Sequence, residues 1–321
     1  MSASAEQPAR ERPGEARVPD FFIVGHHKSG TTALYEMLRR HPQIYMPTLK
    51  EPRFLASDLR ALVPPSPASA LPQTLEEYLS LFEQARPEQR AGEASPSYLR
   101  SKTAAMAIAQ IQPAARIIAV LREPASFVRS LHLQLLQEHV ETEKDLGKAV
   151  ANEEIERQGQ RVLRYSDHVH YVEQLRRYHA LFPPEQVLIL IYDDFRADNE
   201  ATVRRVLRFL DVEDRSPIDV LEANPTVRVR SMRLDAAVRK LYMGRNPISR
   251  AAKASVRKLL PRRARGDASQ AIRRRLLYSS PGQSDERVML ELRRRYRPEV
   301  VALSDYLGRD FLTLWGYDPV A

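Results

Sequence analysis

From Phe21 to Thr32 the chain reads Phe-Phe-Ile-Val-Gly-His-His-Lys-Ser-Gly-Thr-Thr. An apolar run followed by two glycines, one lysine and three hydroxyls supplies the materials of a phosphate cradle. Gly25 and Gly30 let the backbone curl so that its N–H groups converge. A helix opening at Thr31 would turn its positive dipole end on an anion. In an ordinary nucleoside-triphosphate loop, Gly-Lys-Ser/Thr closes the motif. Here Lys28 lies inside the loop and Thr31-Thr32 follows Gly30 directly. The chemistry indicated is capture of a phosphate-like group, in a manner different from that of Mg-ATP.

Two further segments carry groups of the same kind. The apolar run Arg116 to Leu121 ends in Arg122, and Ser130 follows eight residues later. An arginine leaving the C-terminal end of a strand stands where open α/β sheets bind ligands. Its planar fork suits phosphate, and a serine on the next helix adds a hydroxyl donor. A second apolar run, Gln186 to Tyr192, ends in Tyr192-Asp193-Asp194. For proton transfer the chain offers Glu51, in Lys50-Glu51-Pro52-Arg53-Phe54, whose carboxylate can take the proton of an attacking alcohol. Because Glu51 precedes Pro52, its backbone is expected to be extended; an ion pair with Lys50, Arg53 or Lys28 is its bland alternative. The histidines His26, His27, His132, His139, His168 and His170 compete for the same role. His26 and His27 could instead contact the oxygens of the captured anion.

These residues need an alternating scaffold, and the pattern supplies one. Helices are expected at Thr31–Arg40, Leu75–Gln84 (capped by Thr74), Lys102–Ile111, Ala125–Glu138, Lys144–Arg164, Asp167–Leu181 and Asn199–Leu210. Strands are expected over the apolar run 21–24 before the loop at 25–32, and at Arg90–Ala94, 116–121 and 186–192, with Tyr192 as a strand end. Strands alternating with helices imply an α/β fold with a P-loop-like parallel sheet flanked by helices on both faces. From Pro225 onward the chain reads as a helical, basic C-terminal portion. The expected organisation is a tail over residues 1–17 and one domain over 18–321, with its core at 20–212 and an extension at 225–321.

Composition narrows the chemistry. The 321 residues include no cysteine, which excludes thiolate metal sites and cysteine nucleophiles and fits a reducing cytoplasm. No apolar run reaches membrane-spanning length, and the first 17 residues lack the apolar core of a signal peptide. The formal charge of +9 is concentrated between Arg228 and Arg297, where 21 Lys/Arg face 5 Asp/Glu. Such a surface attracts an anionic nucleotide, an anionic lipid surface or an acidic carrier protein. It carries neither a zinc pattern nor interleaved aromatics, which argues against nucleic acid.

In order and spacing, the loop at 25–32, the Arg122…Ser130 unit and Tyr192-Asp193-Asp194 resemble the sulfotransferases that use 3′-phosphoadenosine 5′-phosphosulfate (PAPS). The resemblance covers about residues 20 to 212. It implies that Lys28, Ser29, Gly30, Thr31 and Thr32, with His27 beside them, hold the 5′-phosphosulfate. It implies Arg122 and Ser130 for the 3′-phosphate and Tyr192 near the adenine. Lysine and helix-start N–H groups would stabilise the departing phosphate, at about 3 kcal/mol each, without a metal. Lys50-Glu51-Pro52 and Ser95-Pro96-Ser97-Tyr98 resemble the carbohydrate and heparan-type branch, which implies Glu51 as general base and Tyr98 beside the acceptor. Two departures stand out. Ala33 replaces the aromatic that many members place under the adenine, and the usual late Lys-Gly pattern is missing, with Arg230 as its expected substitute. The acceptor implied is a hydroxyl of a carbohydrate, lipid or natural product. Two other readings stand beside this one: a P-loop kinase, short of its Gly-Lys-Ser/Thr ending, and a non-catalytic basic protein that binds anions through 228–297.

Overall fold

The computed structural model describes residues 17–60, 71–138, 140–152, 155–157, 160–214, 218, 228–229, 278–279 and 286–318. The chain opens with β1 (Phe21–Gly25), α1 (Thr31–Arg39), β2 (Ile44–Tyr45), α2 (Ser57–Arg60) and α3 (Leu75–Ser80). There follow β3 (Arg90–Ala94), α4 (Ala104–Ile111), β4 (Arg116–Leu121), α5 (Pro124–Gln137) and α6 (Leu146–Asn152). The short strands β5 (Ile155–Arg157) and β6 (Gln160–Leu163) lead to α7 (Tyr171–His179), β7 (Val187–Ile191), α8 (Tyr192–Ala197) and α9 (Asn199–Phe209). Two-residue strands β8 (Arg228–Val229) and β9 (Tyr278–Ser279) precede α10 (Glu286–Leu307) and α11 (Phe311–Trp315).

These elements gather into two compact units. The first holds the chain up to His26 with Gly30–Leu121 and Gln174–Glu222; the second holds His27–Ser29, Arg122–Glu173 and the chain from Ala223. The first unit is built on one five-stranded parallel sheet in the order β2-β3-β1-β4-β7. Every side chain of β1 is buried, as are those of Ile117–Leu121, which is why both strands read as unbroken apolar runs. Helices α1 and α9 contribute Leu34, Leu38, Val206 and Leu207 to a core shared with Ile23 and Val120. Each fully buried aliphatic or aromatic side chain stabilises the fold by about 1.5–3 kcal/mol. The paired residues Gly25↔Val120 and Leu121↔Ile191 bring β1, β4 and β7 to a common edge. The loops that carry the chemically interesting residues leave from that edge.

The second unit is organised by two helices. Glu123 caps α5 by accepting the N–H groups of Ala125 (2.8 Å) and Ser126 (2.6 Å), and Pro124 occupies the first helical position. Helix α10 packs against α5. Leu292, Tyr296, Val300 and Leu303 are its buried stripe, at the spacing of one helical face. No helix among the described residues is long and apolar enough to cross a membrane.

Several sequence expectations are corrected. The helix expected over Lys144–Arg164 is α6 followed by the antiparallel pair β5–β6, cross-strand pairing overriding a weak helical period. The helix expected over Asp167–Leu181 is a 3₁₀ turn, Ser166–His168, followed by α7. Tyr192 does not end a strand. Pairing stops at Ile191, and Asp193 and Asp194 sit in the first turn of α8, where negative charge favours a helix start. The region after Pro225 includes the strand pair β8–β9 as well as helices. The tail over residues 1–16 lies outside the described residues.

Gly25 is the tightest point of the sheet edge. At φ 143°, a Cβ added there would lie 2.4 Å from the Val120 carbonyl oxygen and 2.8 Å from its nitrogen. Neither atom can move without opening the β1–β4 ladder. The expected result of Gly25→Ala is a loss of about 3 kcal/mol or more in urea unfolding; a loss under about 1 kcal/mol would show that the two strand ends part easily.

Candidate active site

In the first unit, the edge of the sheet shapes the start of α1. His26 donates its backbone N–H to Val120 O at 3.2 Å, and its buried ring meets Gln174 through Nε2 at 3.3 Å. Gly30, at φ 82°, is the N-cap of α1, and no side chain caps the helix. Added there, a Cβ would come within 2.9 Å of the Phe195 ring and 3.3 Å of the Tyr192 ring. Two aromatics of α8 therefore close over the glycine and leave room for backbone only. Thr31 is buried and Thr32 exposed, and no acidic residue stands in the first turn. The result is a helix start whose first amides lack intrahelical acceptors and keep their positive field.

In the second unit, Lys28 and Arg122 are brought together. Arg122 donates through Nη1 to the Lys28 carbonyl at 2.6 Å, and Lys28 holds a left-handed φ of 62°. Burial depresses the Lys28 ammonium below the ordinary lysine range, the Arg122 charge lowers it further, and Glu138 offsets this only in part. No carboxylate among the described residues is within ion-pair distance of Lys28. Ser29 is fully buried, and its hydroxyl has no hydrogen-bond partner among the described residues. Two crowded cations beside an orphaned hydroxyl make a place that an oxyanion would relieve. The Arg122 backbone is fixed in turn: its carbonyl accepts the Tyr171 hydroxyl at 2.9 Å, and the neighbouring Glu123 carboxylate accepts the Tyr317 hydroxyl. Ser130 is buried on α5. Sequence reasoning missed the roles of Glu123, Tyr171 and Tyr317, because contacts so distant along the chain leave no local signal.

Back in the first unit, Glu51 is partly buried between two cations, with Lys50 Nζ 2.8 Å from Oε1 and Arg53 Nη2 on Oε2. Its backbone departs from the extended conformation expected before proline: φ is 60° at Glu51 and 54° at Arg53. The departure costs about 1–2 kcal/mol per residue. Three hydrogen bonds offset it, from Glu51 N to Ala94 O, Arg53 N to Ser95 Oγ and Leu55 N to Tyr98 Oη, each 3.1 Å. Beneath this segment lies Glu93, fully buried at the end of β3. Tyr78 donates to its Oε2 at 2.8 Å. Burial pushes Glu93 up to about 7, moderated by the hydroxyls of Ser95, Tyr78 and Tyr98. A glutamate inside an otherwise apolar strand, Ala91-Gly92-Glu93-Ala94, was the available signal for it.

The competing histidines resolve into separate settings. His132 meets the Tyr165 hydroxyl at 2.9 Å, and burial lowers its proton affinity. His168 is buried against the Phe127 ring. His27 is half-buried and His170 exposed. His139 and Arg230 lie outside the described residues, as does most of the basic segment 228–297; of that segment, α10 shows Arg287, Arg294 and Arg295 exposed.

Comparison with known proteins places this geometry. A sequence model of the sulfotransferase family matches residues 19–216. Human heparan sulfate glucosamine 3-O-sulfotransferase 6 is 31% identical over 129 residues, 40% of this chain and 34% of that protein. Human carbohydrate sulfotransferase 15 is 35% identical over 66 residues, 21% of this chain and 12% of that protein. The chain thus spans only a minor part of the length of these relatives. Among solved structures, a sulfotransferase from Alicyclobacillus acidocaldarius superposes with a TM-score of 0.57 at 29% identity, over 69% of this chain and 91% of that one.

Glu93 gives a pH signature. Its folded value of about 7 lies above the ordinary 4.5, so between these values the folded state binds more protons than the unfolded one. Its contribution to stability is therefore complete below about pH 4.5 and declines as pH rises through 7, by about 3 kcal/mol in all. Unfolding free energies measured across pH 4.5–8 are expected to fall more steeply for the wild type than for Glu93→Gln. Parallel curves would place the Glu93 charge in a solvated setting.

Proposed function

The chain belongs to the sulfotransferase family, and from that premise we propose that it moves a sulfuryl group from PAPS to a hydroxyl acceptor. The observation that carries this reading is the second unit's crowding of Lys28 against Arg122, with the next residue, Ser29, holding a buried hydroxyl that has no partner among the described residues. Such a group is poised for a polyanion and is costly without one. In this reading Lys28, Ser29, Gly30, Thr31 and Thr32, with His27, receive the 5′-phosphosulfate. Arg122 and Ser130 receive the 3′-phosphate, with Arg230 as a further contact, and Tyr192 lies near the adenine. The S–O bond to the 5′-phosphate breaks as the acceptor oxygen bonds to sulfur. Glu51 takes the acceptor proton, Lys28 stabilises the charge on the departing phosphate, and 3′-phosphoadenosine 5′-phosphate is left. Protein cations carry that charge, so the reaction calls for no metal.

The names of the two human relatives concern carbohydrate and heparan sulfate glucosamine, which supports a sugar hydroxyl as acceptor. Lipid and natural-product hydroxyls share the same chemistry. The basic run 228–297 suits an acceptor, carrier or surface that is itself anionic.

Calorimetry with 3′-phosphoadenosine 5′-phosphate, without metal, tests the nucleotide half of the reading. The expected result is micromolar binding that weakens about tenfold or more in Lys28→Ala and in Arg122→Ala. A bound anion favours the charged lysine, so affinity is expected to decline as pH rises toward the depressed Lys28 value, and Lys28→Ala to lose that dependence. No binding by folded wild-type protein would overturn the proposal.

Labelled PAPS tests the catalytic half. Glu51→Gln is expected to lower kcat about 10²- to 10⁴-fold while leaving nucleotide affinity within about twofold of wild type. Unchanged turnover would move the general base to another residue.

A further inference from the structure

We propose that Tyr171 and Tyr317 are positioning residues for Arg122, bracing from two sides the turn that carries it. The consequence for binding rests on Arg122 as a nucleotide contact; the brace itself rests on hydrogen bonds within the second unit.

Arginine carries its charge at the end of a long, rotamer-rich side chain, and holding that charge ready is costly unless both ends are fixed. At the guanidinium end, Arg122 donates through Nη1 to the Lys28 carbonyl at 2.6 Å. At the main-chain end, two successive groups are tied. The Arg122 carbonyl accepts the Tyr171 hydroxyl at 2.9 Å. One residue on, Glu123 stands at ψ 124°, outside the helical region, and turns its side chain back as the N-cap of α5. Its Oε1 accepts the Ala125 N–H at 2.8 Å and its Oε2 the Ser126 N–H at 2.6 Å. The Tyr317 hydroxyl is a third donor, also to Oε1. Glu123 is buried, so water does not readily replace a donor it loses.

Both tyrosines are suited to the task. Each side chain is fully buried. Burial, and after it the Glu123 charge, raises both hydroxyls above the ordinary tyrosine range, so each remains a proton donor. Their own backbones are anchored by the C-terminal helices. Tyr171 opens α7, and the next amide, that of Val172, donates to Glu299 Oε1 of α10 at 2.9 Å. A carboxylate there meets one of the amides that a helix start leaves without an acceptor. Tyr317 follows α11, which Gly316 ends at φ 69°, and its N–H donates to the Leu312 carbonyl at 2.8 Å. Helix α11 packs on α10. The C-terminal helices thus reach the Arg122–Glu123 turn by two separate routes. Glu299 and Tyr317 lie beyond residues 19–216, the stretch that matches the family, so the match by itself assigns them no role.

The experiment compares Tyr171→Phe and Tyr317→Phe with Tyr296→Phe. Tyr296 is a buried tyrosine of α10 whose hydroxyl has no hydrogen-bond partner among the described residues, so the same atom is removed from the same region without touching the brace. Calorimetry with 3′-phosphoadenosine 5′-phosphate is expected to show affinity about fivefold or more weaker in Tyr171→Phe and Tyr317→Phe, and within about twofold of wild type in Tyr296→Phe. Added to Arg122→Ala, either brace variant is expected to change affinity by less than about twofold, because its effect passes through the arginine. Wild-type affinity in either brace variant overturns the proposal. So does an undiminished loss in the Arg122→Ala background, which a merely structural role would produce.

A second arm needs no ligand. Amide hydrogen exchange is followed at Ala125 and Ser126, which Glu123 accepts, with Leu131 farther along α5 as control. In Tyr317→Phe, exchange at Ala125 and Ser126 is expected to be about fivefold faster or more, and at Leu131 unchanged. Unchanged exchange at Ala125 and Ser126 overturns the brace. Faster exchange at Leu131 as well means that Tyr317 supports the whole helix, which also overturns a positioning role. If folded wild-type protein binds no 3′-phosphoadenosine 5′-phosphate, the nucleotide reading fails, and the exchange arm alone decides whether Tyr317 holds the turn.

Discussion

The rest of the first unit depends on a contact with no room for a side chain, Gly25 against the Val120 backbone. There β1 reaches its last pairing, and the next amide, that of His26, bonds to the Val120 carbonyl. The chain must then turn within four residues to begin α1 at Thr31. Lys28 and Gly30 both accept positive φ to do so. For glycine this is free of steric cost, whereas for lysine it costs about 1–2 kcal/mol. The carbonyl exposed by the Lys28 conformation accepts the Arg122 guanidinium. The strained residue is thus also the one whose main chain receives the arginine, and strain and charge placement have one cause.

Electrostatics in the second unit run against the usual economy of a folded chain. Buried cations are normally matched by carboxylates, yet Lys28 is depressed by burial and by Arg122. Glu123, the nearest acid in sequence to Arg122, is committed elsewhere: it caps α5 and accepts Tyr317. Its role as a cap keeps negative charge at the helix start, where the macrodipole favours it. The second unit therefore orients that acid inward to the helix and leaves Lys28 with no carboxylate at ion-pair distance among the described residues, Glu138 acting on it only in part.

Much of this was legible in the sequence because it is local. The apolar run 116–121 is a strand at those bounds, and the run from Phe21 is a strand that continues one residue further, through Gly25, since a strand buried on both faces has no polar interruptions. Thr74 caps α3 as expected, accepting the Glu77 N–H. What the sequence hid is of two kinds. Tyr192 was read as the end of an apolar run, whereas pairing ends one residue earlier and α8 begins; the switch from strand to helix is set by where Leu121 runs out as a partner. Glu51 was expected to be extended before Pro52, and a local preference of that size yields to three tertiary hydrogen bonds. Contacts such as Tyr317 to Glu123 join residues 194 positions apart, beyond any window in which spacing carries information.

The placement of Glu51 shows what such an override does for the direction of a side chain. A carboxylate on a regular helix or strand takes its direction from the element's period, and few directions are available. Glu51 instead sits on a short loop whose backbone is held at positive φ by the β3 edge and the turn after it. That loop can aim its side chain where no regular element would, provided something stiff opposes its relaxation. Part of that stiffness comes from a buried polar cluster, in which Ser95 and Tyr98 accept the Arg53 and Leu55 amides and Tyr78 donates to Glu93, rather than from apolar packing alone. Apolar contacts tolerate small slides at little cost, while a hydrogen bond weakens steeply once its angle is lost. The same cluster places a buried carboxyl with a proton affinity near neutrality in the protein's interior, a cost in stability that pure packing would have avoided.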